Sequence, residues 1–221
     1  IGIILNTLES SGLNLETRVI YSSDHGDNLG SRGFWGKSTM YEESAGIPLI
    51  FSGEGVPKGA VCDTPVALVD FFPTILEAVG QATHTEDHSL PGESLFAIAN
   101  GQKRKSNILS EYHAAGAVTG SYMIRVENYK YIYYVNMPAM LFDLQADPEE
   151  MIDLGQDPAY QDVLINCEKE LRKIVDPELA DIQAKADQHE KIIANGGKDA
   201  ILKRGGFRFS PPPGVQPSRY S

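Results

Sequence analysis

Cysteine is scarce. The two in 221 residues, Cys62 and Cys167, form no Cys-x-x-Cys pair, which excludes a disulfide framework and a zinc ribbon. Long apolar runs are missing as well, and nothing approaches the ~18 consecutive residues that argue a membrane span. Positive charge is in deficit, with 19 Lys and Arg against 30 Asp and Glu and a net charge of −11. Nucleic-acid recognition needs a basic face, so no nucleic-acid partner is expected. The opening residues Ile1-Gly2-Ile3-Ile4-Leu5 lack a starting Met, a basic leader and a cleavage site. The expectation is an interior segment of a longer chain.

The 42% hydrophobic content is that of a globular protein. Acid is concentrated late: residues 141–199 hold 15 acids and 6 bases. The last stretch, 200–221, carries Lys203, Arg204, Arg208 and Arg219, Pro211-Pro212-Pro213 and no acid, the composition of a solvated basic arm.

Periodicity predicts an α/β chain. Ile3, Ile4 and Leu8 ahead of Gly12 read as a helix, and Thr17 to Ser23 as a strand. Residues 24–46 have little periodicity and make a long loop, a length that in a compact domain is usually functional or disordered; Phe34, Trp35 and Tyr41 favour order. Ile47 to Phe51 is a second strand, limited by Pro48 to a strand start or an edge. Asp70 is placed to cap a helix running to Gly80, and Gly92 to Ala99 gives another short helix. Ile108 to Tyr112 reads as a strand and 121–135 as a hairpin turning at Glu127-Asn128, with 141–144 able to join it. Asp157-Pro158 and Asp176-Pro177 each open a helix, the second a charged surface helix.

The stretch Ser22-Ser23-Asp24-His25-Gly26-Asp27 ends an apolar strand with a carboxylate and an imidazole, where open α/β sheets place their ligands. Metal ligation suits that arrangement; a turn cap at Asp24 beside an exposed His25 suits it equally. Lys37 sits among aromatics in the loop. An ammonium near a metal can neutralise the oxygens of a transferring sulfuryl or phosphoryl group, although a loop lysine is ordinarily a surface charge. His113, at the end of another strand, can orient substrate or act as an acid, or serve as a hydrogen-bonded structural histidine.

The ordered series Asp24-His25-Gly26-Asp27, Leu29-Gly30, Gly33-Phe34-Trp35-Gly36-Lys37, Tyr41-Glu42-Glu43-Ser44 and Ile47-Pro48-Leu49-Ile50 resembles the second half of the type I sulfatases of the alkaline phosphatase superfamily. Val69 to Leu76, Gly92 to Leu95, Ser110 to His113, Tyr129-Lys130-Tyr131 and Leu141 to Glu150 extend the resemblance over residues 17–155. It implies the later part of an alkaline-phosphatase-like mixed sheet with flanking helices, followed by a small antiparallel sheet and helices. It also implies a sulfuric ester hydrolase in which Asp24 and His25 ligate one divalent metal and Lys37 contacts the sulfate; His113, from its place at a strand end, is a further candidate to meet the substrate. Calcium follows from the family. Imidazole suits manganese or zinc better, and magnesium is a further alternative. The Asp-His pair looks like the choline-sulfatase and phosphonate-hydrolase side of the family, and Gly46 stands where Arg is common.

The family's nucleophile is a formylglycine made in a Cys/Ser-x-Pro-x-Arg motif. Neither Cys62-Asp63-Thr64-Pro65-Val66 nor Cys167-Glu168-Lys169-Glu170-Leu171 fits it, so formylglycine is expected in an N-terminal part that would be this segment's partner. The segment alone is expected to be inactive and, its sheet cut from earlier strands, to aggregate or pair with another chain. The expected division is 1–105 as the end of the catalytic domain, 106–199 as a small C-terminal subdomain and 200–221 as the tail. The substrate would be a small sulfate ester or a sulfated sugar. A phosphodiesterase or phosphonate monoester hydrolase, and a non-catalytic sulfatase-like binding module, are the alternatives.

Overall fold

The computed structural model describes residues 1–114 and 116–204. In chain order they form α1 (Gly2–Ser10), β1 (Val19–Ser22), α2 (Glu42–Ala45), β2 (Leu49–Ser52), α3 (Phe71–Ala78) and α4 (Leu95–Ala99). The strands β3 (Ile108–Tyr112), β4 (Ser121–Val126), β5 (Tyr129–Tyr134) and β6 (Met140–Asp143) follow, and then α5 (Gln161–Ile174), α6 (Pro177–Ala194) and α7 (Lys198–Arg204). Lys203 and Arg204 close α7, while Arg208, Arg219 and the rest of the basic arm lie outside the described residues. The chain divides into two units, residues 1–24 with 47–108, and residues 25–46 with those from 109 onward.

In the first unit β1 and β2 pair antiparallel, with Val19 opposite Ser52 and Ser22 opposite Leu49. Pro48 lies just outside β2, where its missing N–H removes no ladder bond. Tyr21 and Ile50, paired across the strands, are both exposed. Asp70 does not cap α3 as the spacing suggested. Its buried carboxylate instead accepts from the Ala67 N–H at 2.7 Å, the Glu93 N–H at 2.8 Å and the Arg104 guanidinium at 2.6 Å. A tertiary ion pair has captured the side chain that local sequence assigned to a cap. Arg104 thereby pins the Gly101–Lys105 stretch, and Glu93 accepts from the N–H groups of Lys105 and Ser106 at 3.0 and 3.1 Å.

The second unit is built on a four-stranded sheet in the order β3-β4-β5-β6. The hairpin turns at Glu127, whose φ of 54° is the left-handed value such a turn needs, and the register sets Ile124 against Tyr131 and Tyr131 against Leu141. Because side chains alternate along a strand, each strand serves two cores. Tyr122, Ile124, Tyr131 and Leu141 pack with Cys167 and Leu171 of α5. Met123, Ile132 and Phe142 pack with Met40 of the 25–46 loop. That loop is a layer on the sheet's second face.

Asp176-Pro177 opens α6, and Asp157-Pro158 opens a 3-10 turn, Pro158–Tyr160, that leads into α5. The Asp157 and Asp176 side chains accept from the N–H groups of Ala159 and Leu179 at 2.9 and 3.0 Å. Most of α6 is a solvated surface helix, with Leu179, Ile182 and Ile193 exposed. Its first turns dock: buried Asp181 accepts from the Gly120 N–H at 2.7 Å, and the Tyr122 hydroxyl donates to the Pro177 carbonyl at 3.0 Å. Burial pushes the Tyr122 phenol up to about 12.

Burial likewise pushes the Cys167 thiol up to about 11, whereas Cys62 is exposed. A thiol count with a disulfide reagent at pH 8 should therefore find one fast-reacting cysteine in the native protein and the second only on unfolding. Two fast thiols would show that the α5 core is open.

Candidate functional site

The 25–46 loop begins at Gly26, where only glycine fits. A Cβ there would lie 2.1 Å from the Glu43 carbonyl oxygen, and the Gly26 N–H donates to the Ser44 carbonyl at 2.8 Å. The two ends of the loop are thus laid side by side. Inside it, Asn28 is buried and holds Gly36: its own N–H donates to the Gly36 carbonyl at 2.8 Å, its side-chain amide donates to the same oxygen, and its amide oxygen accepts from Thr39 at 3.1 Å. Asp27 accepts from the Leu29 N–H at 3.1 Å. Eleven residues of separation between His25 and Lys37 are folded away by these bonds.

Lys37 and His25 consequently meet. The His25 Nδ1 is 2.7 Å from the Gly26 carbonyl, which can only accept, so the ring proton sits there and the lone pair is on Nε2. Lys37 Nζ donates to that Nε2. Asp24 precedes His25 directly and accepts from the Ser23 hydroxyl at 3.4 Å. Next to Lys37, the Ser38 hydroxyl donates to the Tyr112 hydroxyl at 3.0 Å, tying the loop to the end of β3. His113 follows Tyr112, edge-on to the Tyr122 ring at 5.3 Å between centroids. Its Nε2 is 3.7 Å from the Glu111 carboxylate, and its buried Nδ1 has no hydrogen-bond partner among the described residues.

A side chain that sequence reasoning passed over secures the loop. Lys130 of β5 is fully buried on the loop-facing side of the sheet, with its Nζ 2.8 Å from Glu42 and 2.8 Å from Glu150. Glu150 also accepts from the Glu42 N–H at 2.7 Å. Burial holds the Glu150 carboxyl above its usual range despite the pull of Lys130. Beside this cluster Arg32 pairs with Glu43, donates to the Glu149 and Glu150 carbonyls and covers the Tyr41 ring at 4.4 Å. Burial works against ionisation of Glu43, and its hydrogen bonds from Ser31 and Arg32 outweigh that and keep its carboxyl below the usual range. At Gly46 a Cβ would stand 2.7 Å from the Glu42 carbonyl and 2.8 Å from its carboxylate. A cavity of about 360 Å³ lies against Arg18, Glu77, Phe96 and Asn100 of the first unit. Arg18 there is already committed to Glu54 and to the Ala78 carbonyl.

Residues 30–176 match the model of the N-sulphoglucosamine sulphohydrolase C-terminal family. The chain belongs to that family. It is 35% identical over 182 residues to arylsulfatase K of Danio rerio, covering 80% of this chain and 34% of the relative. It is 35% identical over 158 residues to the choline-sulfatase of Rhizobium meliloti strain 1021, covering 72% and 31%. Among solved structures, a protein in complex with its substrate D-glucosamine-2-N,6-O-disulfate superposes with a TM-score of 0.67 at 28% identity, over 80% of this chain and 38% of that one. A phosphonate monoester hydrolase from Silicibacter pomeroyi gives 0.66 at 25%, over 78% and 37%. The sulfatase-family chain therefore has an alkaline-phosphatase-like fold and spans about a third of the length of the curated relatives it matches.

Removing the buried ammonium leaves a carboxylate without its partner, a change that typically costs about 3–5 kcal/mol. Lys130→Met should lower the urea unfolding midpoint accordingly. An unchanged midpoint would mean that Lys130 is hydrated rather than buried.

Proposed function

We propose that this chain is the C-terminal part of a metal-dependent sulfatase that hydrolyses sulfate esters of small molecules or sugars. The observation that carries the reading is the His25–Lys37 contact on a loop inside the family-matching stretch. The imidazole lone pair at Nε2 faces a cation, which is the polarity a metal ligand needs, and Asp24 beside it supplies a carboxylate. Among the described residues no three His, Cys, Asp or Glu form a metal-holding group. Asp24 and His25, adjacent in the chain, would supply two donors to such a metal, and further donors would come from elsewhere in the full-length protein. An oxygen and an imidazole donor suit manganese or zinc as well as the calcium of the family, with magnesium a further fit. Such a metal, with a formylglycine carried elsewhere in the protein, would supply the Lewis acid and the nucleophile.

The chain's own residues bind and orient. Lys37 places an ammonium against the sulfate oxygens, where charge develops as the ester bond breaks. Gly26 holds the His25 proton on Nδ1. His113, whose Nε2 lies 3.7 Å from the Glu111 carboxylate, is the further candidate to meet the substrate. A sulfate monoester carries one negative charge and a phosphate monoester two, so one lysine against the anion leans toward sulfate. The likeness to the phosphonate monoester hydrolase favours phosphonate hydrolysis as a second reading.

The test is turnover by the full-length protein on paired sulfate, phosphate-monoester and phosphonate substrates. Sulfate esters should be preferred, activity should fall with chelation, and Lys37→Ala should cost about 10²-fold or more in kcat/KM. A phosphonate preference would install the second reading, and no turnover of either class would overturn both. The isolated 221 residues should be inactive, and metal-dependent turnover by them would contradict that expectation.

A further inference from the structure

Ser44 holds both site-bearing ends of the loop. Its carbonyl accepts from the Gly26 N–H at 2.8 Å, next to His25, and its buried hydroxyl donates to the carbonyl of Lys37 itself. It lies on α2, and α2 is anchored through Glu42, whose carboxylate pairs with Lys130 and whose N–H donates to Glu150. A short helix of four residues has little stability of its own. The buried ion cluster therefore supplies the rigidity that local structure lacks.

We propose that Ser44 is a positioning residue for the sulfatase reaction: clamped to the sheet by the Lys130–Glu42–Glu150 cluster, it holds Lys37 in register with His25. This rests on the reading of Lys37 as the contact to the sulfate. The hydroxyl touches no reacting group and acts through the Lys37 backbone. Displacements of about 1 Å at a reacting centre can cost about 10²-fold in rate, so one hydrogen bond to the backbone of the contacting lysine is enough to matter.

The test is a double-mutant cycle in the full-length enzyme with a sulfate ester, using Ser44→Ala, Lys37→Ala and the pair. Ser44→Ala should lower kcat/KM about tenfold to a hundredfold. In the Lys37→Ala background the same change should cost less than about twofold, because what Ser44 positions is already gone. A merely structural serine would cost the same in both backgrounds, and that equality overturns the proposal. An independent arm reads the lysine without turnover: amine labelling of native protein, resolved by mass spectrometry, should modify Lys37 faster in Ser44→Ala than in wild type, with Lys130 protected in both. Equal Lys37 labelling also overturns it. Ser44→Cys, which keeps the volume with a weaker donor, should fall between wild type and Ser44→Ala. If Lys37→Ala alone leaves turnover intact, the sulfate-contact reading has failed, and the labelling arm still reports whether Ser44 holds the lysine.

Discussion

A lysine buried inside a β-sheet face is the constraint on which the second unit depends. An ammonium taken out of water must be paired and hydrogen-bonded or it loses its charge. Lys130 meets that demand with Glu42 from the loop and Glu150 from beyond β6. Neither carboxylate is near it in sequence. The pairing therefore has to draw residues 42 and 150 to the middle of the sheet, and with them the loop that carries His25 and Lys37. The gain in free energy from such a cluster is small compared with what breaking it costs. Its contribution is specificity: few placements of a 22-residue loop with little regular structure satisfy a buried cation, and the wrong ones leave a charge stranded.

The rest of the loop is consistent with that reading. Its apolar contacts are modest, Met40 and Tyr41 against Phe142 and Met140, so hydrophobic burial alone would let it slide across the sheet. Directional bonds remove that freedom. Arg32 reaches the carbonyls of residues 149 and 150 while its guanidinium covers Tyr41, and Asn28 closes the inner turn on Gly36. Polar groups have taken over the role of a core where the loop must present charged side chains and cannot afford a greasy surface.

Elements with local signals were legible in the sequence. The hairpin at Glu127-Asn128 announces itself by alternation on both arms, the Asp-Pro pairs mark two helix starts, and Pro48 marks the limit of β2. Asp24, His25 and Lys37 were legible as residue types at a strand end and in a loop, and the structure adds the contact between His25 and Lys37. What stayed hidden was long-range. Asp70 looked like a helix cap because a cap needs only local sequence, and its actual partner, Arg104, is 34 positions away. Lys130 looked like the polar member of an alternating strand. Its face also carries Arg125 directly opposite, and the available signal was the apolar Met123, Ile132 and Phe142 around them, which leave little solvent side to β5.

Family resemblance and physical role divide the 24–46 stretch in an instructive way. Asp24, His25 and Lys37 are the residues to which the proposed function assigns chemistry, and many of the other residues behind the resemblance hold the loop that bears them. Gly26 is there because the Glu43 carbonyl occupies the space of a side chain, Glu42 because a buried lysine needs it, and Ser44 because two backbone segments meet at it. Gly46 follows the same logic. With the Glu42 carbonyl and carboxylate both within 3 Å of where a Cβ would be, an arginine at 46 would require α2 to end differently. Gly46 thus leaves space for the Glu42 carboxylate, which pairs with Lys130.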